Sequence, residues 1–461
     1  MTPLLASCVF TAGIVGLWFL DRQPNYRSSW ALWIPSLWLF LSGSRHVSEW
    51  LGANQKMSAD EYLEGSPLDA AVYAILLAAA IVVLIARRKK VVAILRKNLP
   101  IVVFVIFCAV SIVWSDFPAV AFKRWIKSLG DYAAILVILS DFDHKAALKQ
   151  VFARVSFVVI PLSVLFIKYY PTLGRMYASH WVGTQFFVGV CDTKNMLGMV
   201  CLVFGLFSFW RLLELRRFWR PDQRKILLVH GTITAMAIWL LLLSDSKTSL
   251  SCFVLSGALI TAHRFLSWAR KSLVLHLLVA VVILSSFSVL FLGIGSGALE
   301  EMGRNPTLTG RTDMWTALLS THTNPLIGTG FESFWLGPRL SYLWTFQIVN
   351  GITEAHDGYL EMYLNLGWAG VTLLAILLLT GYRNVLRLLQ RDPQAGRIRL
   401  ALFVVAVIYN FTEAGFRSTD LIWIAFILAI AMPPLPARLA RAQQRPAKLR
   451  PHQDQPAFQT L

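Results

Sequence analysis

The sequence is poor in charge. Asp, Glu, Lys and Arg make up 15% of its 461 residues, against 56% hydrophobic residues and a mean hydropathy of +0.58, and this balance excludes a soluble globular domain. Acid is scarcer than base, 25 Asp and Glu against 43 Lys and Arg, leaving a formal net charge of +18. The five cysteines (Cys8, Cys108, Cys191, Cys201, Cys252) are scattered, odd in number and without a CxxC pair, so they suggest neither a disulfide framework nor a metal site. There is no Walker-type glycine loop and no GxGxxG after a strand, and SDS at 244–246 lacks the second acid of a DxD ligand pair. Hence no nucleotide, cofactor or metal is expected. The first apolar run has no basic flank before it and no small-residue cleavage site after it, which reads as an uncleaved anchor with its N-terminus outside.

What the chain has instead is a series of apolar runs, at 4–20, 29–43, 67–86, 99–114, 118–140, 151–167, 195–210, 225–243, 248–263, 272–294, 358–381, 399–412 and 419–435. A bilayer is crossed by about twenty residues. The expectation is an all-α polytopic integral membrane protein with about 12 to 13 transmembrane helices. Its parts would be N-terminal transmembrane helices over 1–294, a large external loop with short helices over 295–357, C-terminal transmembrane helices over 358–436, and a basic tail over 437–461. Most Lys and Arg fall in alternate loops (21–28, 87–98, 141–150, 211–224, 264–271, 382–398) and the tail. Those loops should face the cytoplasm. RRKK at 87–90 and RLLELRRFWRPDQRK at 211–225 then read as topology signals, and nucleic acid is discarded as a partner.

With this orientation the outside holds two long loops, 169–194 and 295–357. In the larger, Met314, Trp315, Leu318 and Leu319 recur at helical spacing, predicting a short amphipathic helix at the membrane mouth. Lys194, Lys247, Arg311, His356 and Arg417 fall near span ends on that face, where ionisable groups are costly to keep. Lys247 can equally snorkel to the interface. Lys123, Arg124 and Lys127 sit in a run that otherwise spans, and read as well as an interfacial helix as a functional group, with Asp131 one turn on able to neutralise Lys127. The stretch ITEAHDGYLEMYLNLGWAG, residues 352–370, places Glu354, His356, Asp357 and Glu361 at the mouth of an apolar segment. A histidine there can accept a proton near neutral pH.

The ordered motifs GRTDMWTALL (310–319), NPLIGTGFESF (324–334) and AHDGYLEMYLNLGWAG (355–370), with DTKNMLG (192–198) and LLLSDSKTSL (241–250) upstream, resemble the O-antigen ligase and polymerase superfamily, the Wzy-C type membrane glycosyltransferases. The N-terminal LDRQ and SWALWIP, with GSRHVSEWL, further resemble the succinoglycan-type exopolysaccharide polymerase branch. The resemblance implies glycan transfer from a polyprenyl-pyrophosphate carrier to a sugar hydroxyl, on the periplasmic face of the bacterial inner membrane, without cofactor or metal. It makes His356 the general base of an inverting displacement. Arg311 and Lys247, then Lys194 and Arg124, become the pyrophosphate-binding cations, and Glu354 and Asp357 the groups that orient His356. Its implied partners are the lipid-linked oligosaccharide, the bilayer, a flippase and a chain-length regulator. A polymerase of repeat units is expected; the alternatives are a ligase acting on lipid A core or protein, and a lipid-linked sugar transporter. Two departures stand out. Lys247 follows Ser246 where many ligases have arginine, and Asp357 follows His356 where asparagine is frequent.

Overall fold

The computed structural model describes residues 1–22, 29–52, 65–177, 185–215, 221–291 and 311–433. The expected basic tail at 437–461, the start of the large loop and Gly310 lie outside the described residues. Among the described residues, single-turn helices aside, the chain runs through sixteen α-helices. They are α1 (Pro3–Leu20), α2 (Trp33–Ser42), α3 (Pro67–Ala86), α4 (Arg88–Lys97), α5 (Leu99–Val110), α6 (Pro118–Leu139), α7 (His144–Tyr169), α8 (Lys194–Leu213), α9 (Pro221–Leu243), α10 (Lys247–Phe265), α11 (Ser272–Phe291), α12 (Arg311–Leu319), α13 (Gly337–Leu343), α14 (Gly358–Arg391), α15 (Pro393–Tyr409) and α16 (Leu421–Ile430). The only sheet among the described residues is an antiparallel hairpin, β1 (Arg175–Tyr177) on β2 (Gln185–Phe187), with Arg175 opposite Phe187. The all-α membrane architecture expected from the sequence is the one that forms.

Among the described residues six helices, α1, α3, α7, α8, α9 and α14, are long and apolar enough to cross a bilayer, and α4 with α5 makes a seventh if the bent pair is one span. Of the 12 to 13 crossings expected, six or seven therefore have the length and apolarity of a span among the described residues. The rest are apolar helices that are short, as α2, α15 and α16 are at 10, 17 and 10 residues, or polar in part. Helix α6 has the length, 22 residues, but carries Lys123, Arg124, Lys127 and Asp131.

Helix ends are set by local chemistry. Asp392 accepts hydrogen bonds from Gln394 and Ala395 N–H and Pro393 opens α15, as a side-chain cap with proline in the first turn requires. Helices α8, α15 and α16 are buried along most of their length and form the centre, with Phe204, Phe207, Trp210 and Phe426 among the fully buried side chains. Helices α1 and α3 turn Leu4, Leu5, Ile75, Val82 and Ile85 outward, as a hydrocarbon solvent permits.

The two ends of the bundle differ. At one, the basic loops interlock: Arg87 pairs with Asp141 at 3.1 Å, Trp210 Nε1 donates to the Gln394 carbonyl, and Asn98 Nδ2 donates to the Met432 carbonyl. At the other lie the β-hairpin, the loop 244–246 and the segment 311–357. That segment has a core of its own, with Met314, Leu318, Phe334, Trp335, Leu340 and Leu343 packed on Leu364. The short helix expected around Met314, Trp315, Leu318 and Leu319 is α12, with Met314 and Leu318 buried, Trp315 packed beside them and Leu319 exposed.

Candidate active site

The site begins with a break in a helix. Within α14, Gly367 has φ 61° and ψ −164°, outside any helical conformation, which interrupts the bonding ladder inside the apolar region. A freed backbone group there needs a protein partner. The loop 325–331 supplies them: Thr329 and Gly330 N–H donate to the Leu364 and Asn365 carbonyls at 3.2 and 2.8 Å, and Trp368 and Ala369 N–H donate to the Pro325 and Leu326 carbonyls at 2.9 and 3.0 Å. A Cβ on Gly367 would lie 2.4 Å from the Leu326 carbonyl carbon, and one on Gly328 2.5 Å from Asn365. The two glycine motifs therefore close on each other, which is a more specific role than helix packing or turn formation alone. Asn365 Oδ1 extends the clasp by accepting from Ser333 and Phe334 N–H at 2.9 and 3.1 Å.

The first turn of the same helix fixes the turn that carries the histidine. Glu361, buried to 1% exposure, accepts from Trp335 Nε1 at 2.9 Å and from the Ala355 N–H at 2.9 Å, while Trp315 Nε1 donates to the Ala355 carbonyl at 2.8 Å. Asp357 caps α14, its Oδ1 accepting from Tyr359 and Leu360 N–H at 2.8 Å each. Gly358 N–H donates to the Asn410 carbonyl, and a Cβ there would meet Asn410 Oδ1 at 1.8 Å. Between these anchors His356 takes φ +47°, a left-handed conformation unfavourable for a residue with a side chain. Such strain persists where the surroundings over-determine the backbone.

The imidazole meets two carboxylates: Nδ1 lies 3.1 Å from Glu354 Oε1 and 3.3 Å from Glu413 Oε2. Glu413, on the connection between α15 and α16, also pairs with Arg311 Nη2 at 3.2 Å and accepts from Asn195 Nδ2 at 3.3 Å. Arg417, four residues on, lies 3.5 Å from Glu354, 3.9 Å from Glu332 and 3.9 Å from Glu361. Glu332, itself at φ 50°, binds the Ser418 N–H and hydroxyl at 3.1 Å each, and its carbonyl accepts from Arg124 Nη1 at 2.7 Å. Lys194 and Lys247 converge on Asp245 at 3.4 and 3.0 Å, and Lys194 also stands 4.7 Å over the Phe186 ring of the hairpin. This lysine pair joins the histidine group through Asn195 and through the Thr248 to Thr412 hydroxyl bond of 2.7 Å.

Burial lowers the affinity of His356 for a proton, but the hydrogen bonds and charges of Glu354 and Glu413 more than offset it and raise its pKa to about 9. Burial likewise works to raise Glu354, yet His356, with Arg417 and Arg311 beyond, holds its carboxyl below the usual value. Asp357 moves the other way, pushed up to about 6 by burial against the pull of its two backbone donors. Asp245 is held low by its two lysines despite partial burial. Nitrogen and carboxylate oxygens of Glu354, His356 and Glu413 lie within 4.8 Å of one another, a spacing that can hold a metal ion. Arg311 and Arg417 already neutralise these carboxylates, and a divalent ion would add positive charge beside both. The donor set fits a shared proton better than a metal.

Of the residues singled out in the sequence, His356, Glu354 and Arg311 share one carboxylate network. Lys247 and Lys194 form a neighbouring pair, and Arg124 reaches the network through the Glu332 backbone. Asp357 turns its carboxylate to the helix cap rather than to His356. Asp131 likewise binds Trp38 Nε1 and Thr419 N–H, at 2.8 Å each, while Lys127 lies 4.2 Å over the Tyr73 ring. The hub that sequence reading missed is Glu413, with Glu332. The available signal was NFTEAGFRSTD (410–420), an acid and an arginine four residues apart between two apolar runs.

Comparison with known proteins now bears on this geometry. Residues 231–375 match a family model described as O-antigen ligase. A curated relative, the exopolysaccharide production protein ExoQ of Rhizobium meliloti (strain 1021), is 24% identical over 305 residues, 63% of this chain and 67% of the relative. The resemblance read from the motifs therefore holds. The matched family segment contains Arg311, Glu332, Glu354, His356 and the helix break at Gly367, and ends before Glu413 and Arg417.

Proposed function

We propose that this chain is a membrane glycosyltransferase of the O-antigen ligase and polymerase type. In this reading it joins polyprenyl-pyrophosphate-linked oligosaccharide repeat units into an exopolysaccharide at the outer, periplasmic face of the bacterial inner membrane. The observation that carries the reading is the His356, Glu413 and Arg311 network, at the end of the bundle opposite the basic loops. Cations close to the interface suit a diphosphate whose lipid tail stays in the bilayer.

The arrangement supports the following chemistry. The acceptor hydroxyl oxygen forms a bond to the anomeric carbon as the bond from that carbon to the phosphate oxygen breaks. The electron pair of the broken bond leaves with the polyprenyl pyrophosphate. Arg311, with Lys247, Lys194 and Arg124 around it, stabilises the negative charge that develops there. The hydroxyl proton passes to His356. Its Nδ1 faces Glu354 and Glu413, so Nε2 is the atom left for substrate, and the two carboxylates stabilise the imidazolium that forms. Direct displacement inverts the anomeric configuration. Because the resting pKa is about 9, His356 must shed a proton before it acts as base. A second reading arises from the same value: a permanently charged His356 would serve as another cation on the leaving pyrophosphate.

The test is reconstitution of the full chain in liposomes with lipid-pyrophosphate oligosaccharide. Release of polyprenyl pyrophosphate together with joined repeat units is the expected result; movement of donor between leaflets without bond cleavage would mean transport instead. In a deletion strain, single repeat units left on the lipid carrier are expected. Full-length chains left unattached would instead mean a ligase that acts on lipid A core or protein. The same strain, complemented, reports whether a flippase and a chain-length regulator are needed.

A further inference from the structure

At the basic end of the bundle, α4 meets the segment Leu99–Trp114 at 92°, so the chain turns a right angle where α4 passes into α5. Ile94 of α4 is buried, while Arg88, Lys89, Arg96 and Lys97 are exposed, the division of faces an interfacial helix shows. Between the start of α4 and the end of α6 lies a cleft of about 340 Å³, lined by Arg87, Arg88, Lys89, Lys90, Ser140 and Phe142. Its wall is built. Arg87 donates to the Val137 carbonyl and the Ser140 hydroxyl at 3.2 and 3.4 Å and pairs with Asp141 at 3.1 Å. Lys90 donates to the Ser140 and Asp141 carbonyls at 3.2 and 3.4 Å, and its ammonium lies 5.5 Å from the Phe142 ring centroid. Arg88 and Lys89 face the same cleft with no ion-pair partner among the described residues. Phe142 is 78% exposed beside them.

We infer that this cleft is a binding site for the phosphate headgroup of an anionic phospholipid from the leaflet that the basic loops face. A topology signal requires only that the charges lie on the correct side of the membrane; it requires neither a formed cleft nor a wall fixed by hydrogen bonds donated to the end of another helix. Here the committed cations, Arg87 and Lys90, shape the cleft, and the uncommitted ones, Arg88 and Lys89, remain to meet a phosphodiester. The exposed Phe142 ring supplies an apolar surface for the adjoining glycerol and acyl region. No acid lines the cleft; Asp141 offsets Arg87 from behind the wall, so an anion entering meets net positive charge from Arg88, Lys89 and Lys90, and basic pockets between helices at this depth suit lipid headgroups.

The test uses the full chain in nanodiscs of phosphatidylcholine with or without phosphatidylglycerol, reading bound lipid by native mass spectrometry. Phosphatidylglycerol should be retained over phosphatidylcholine. The Arg88→Gln/Lys89→Gln double variant should weaken that retention about twenty-five-fold, at roughly fivefold per basic residue. Arg96→Gln/Lys97→Gln removes the same charge from the same helix away from the cleft, and should leave retention within about twofold of the parent. Equal loss in the two double variants, or no preference for phosphatidylglycerol in the parent, would overturn the site. Inorganic phosphate added to phosphatidylcholine nanodiscs should give no rise in the unfolding temperature; a rise equal to that from phosphatidylglycerol would make the ligand soluble phosphate and overturn the lipid assignment.

Discussion

The mouth of the molecule and the outer face of α4 use charge in opposite ways. At the mouth, Arg311, Arg417 and His356 face Glu332, Glu354, Glu361 and Glu413, and every one of these groups has a partner of the other sign within 4 Å. The backbone there is strained, with His356 and Glu332 both at positive φ. At the basic end, Arg88, Lys89, Arg96 and Lys97 project outward on an ordinary helix. One sign of charge, exposed and unstrained, is enough to orient a chain and hold a headgroup. Balanced charge on an over-determined backbone costs stability and is retained where geometry matters to chemistry.

The comparison can be broken or sharpened, beginning with the largest effect. Gly367→Ala forces a side chain against the Leu326 backbone at positive φ and should cost at least ~2 kcal/mol, read as lost membrane abundance. Gly13→Ala, with nothing within 4 Å, should be neutral. Next is Glu413→Ala, which leaves Arg311, His356 and Asn195 without their shared carboxylate. Transfer should fall by about 10²-fold or more at normal abundance, and an unchanged rate would remove Glu413 from the site. Arg311→Lys should lower transfer more than Lys247→Arg does, because only the first loses a planar fork; the side-chain exposures of 18% and 45% point the same way. The reverse order would mean that the exposed lysine pair on Asp245, not Arg311, holds the pyrophosphate. Smallest of all, a divalent-metal chelator should leave the rate unchanged. Inhibition reversed by added metal would convert the Glu354, His356 and Glu413 group into a metal centre.

Much of this was legible in the sequence, for identifiable reasons. Apolar runs read directly as membrane helices because a bilayer imposes one length on them. Glu354, His356 and Arg311 could be grouped because they flank one loop. Glu413 was not, since its role depends on α15 and α16 being brought beside α12 and α8, a pairing that no local spacing encodes. Asp357 precedes Gly358 as an aspartate, a residue type favoured at helix N-caps, and the cap is the role the fold uses. The glycines of PLIGTG and GWAG were visible, but not that each set receives the other's backbone bonds, because the partners are some forty residues apart.

The most direct measurement is the pH dependence of polyprenyl pyrophosphate release by the reconstituted protein and by His356→Ala. The His356 pKa is raised above its ordinary 6.5 to about 9, so its pairing with Glu354 and Glu413 stabilises the fold fully below pH 6.5 and that contribution is lost as pH climbs through about 9. If neutral His356 is the base, the parent rate rises with pH until about 9, and His356→Ala is slower by about 10²-fold or more with no such rise. A parent rate that falls through pH 9 would make His356 a fixed cation, while a variant as fast as the parent would remove it from the reaction and contradict the account.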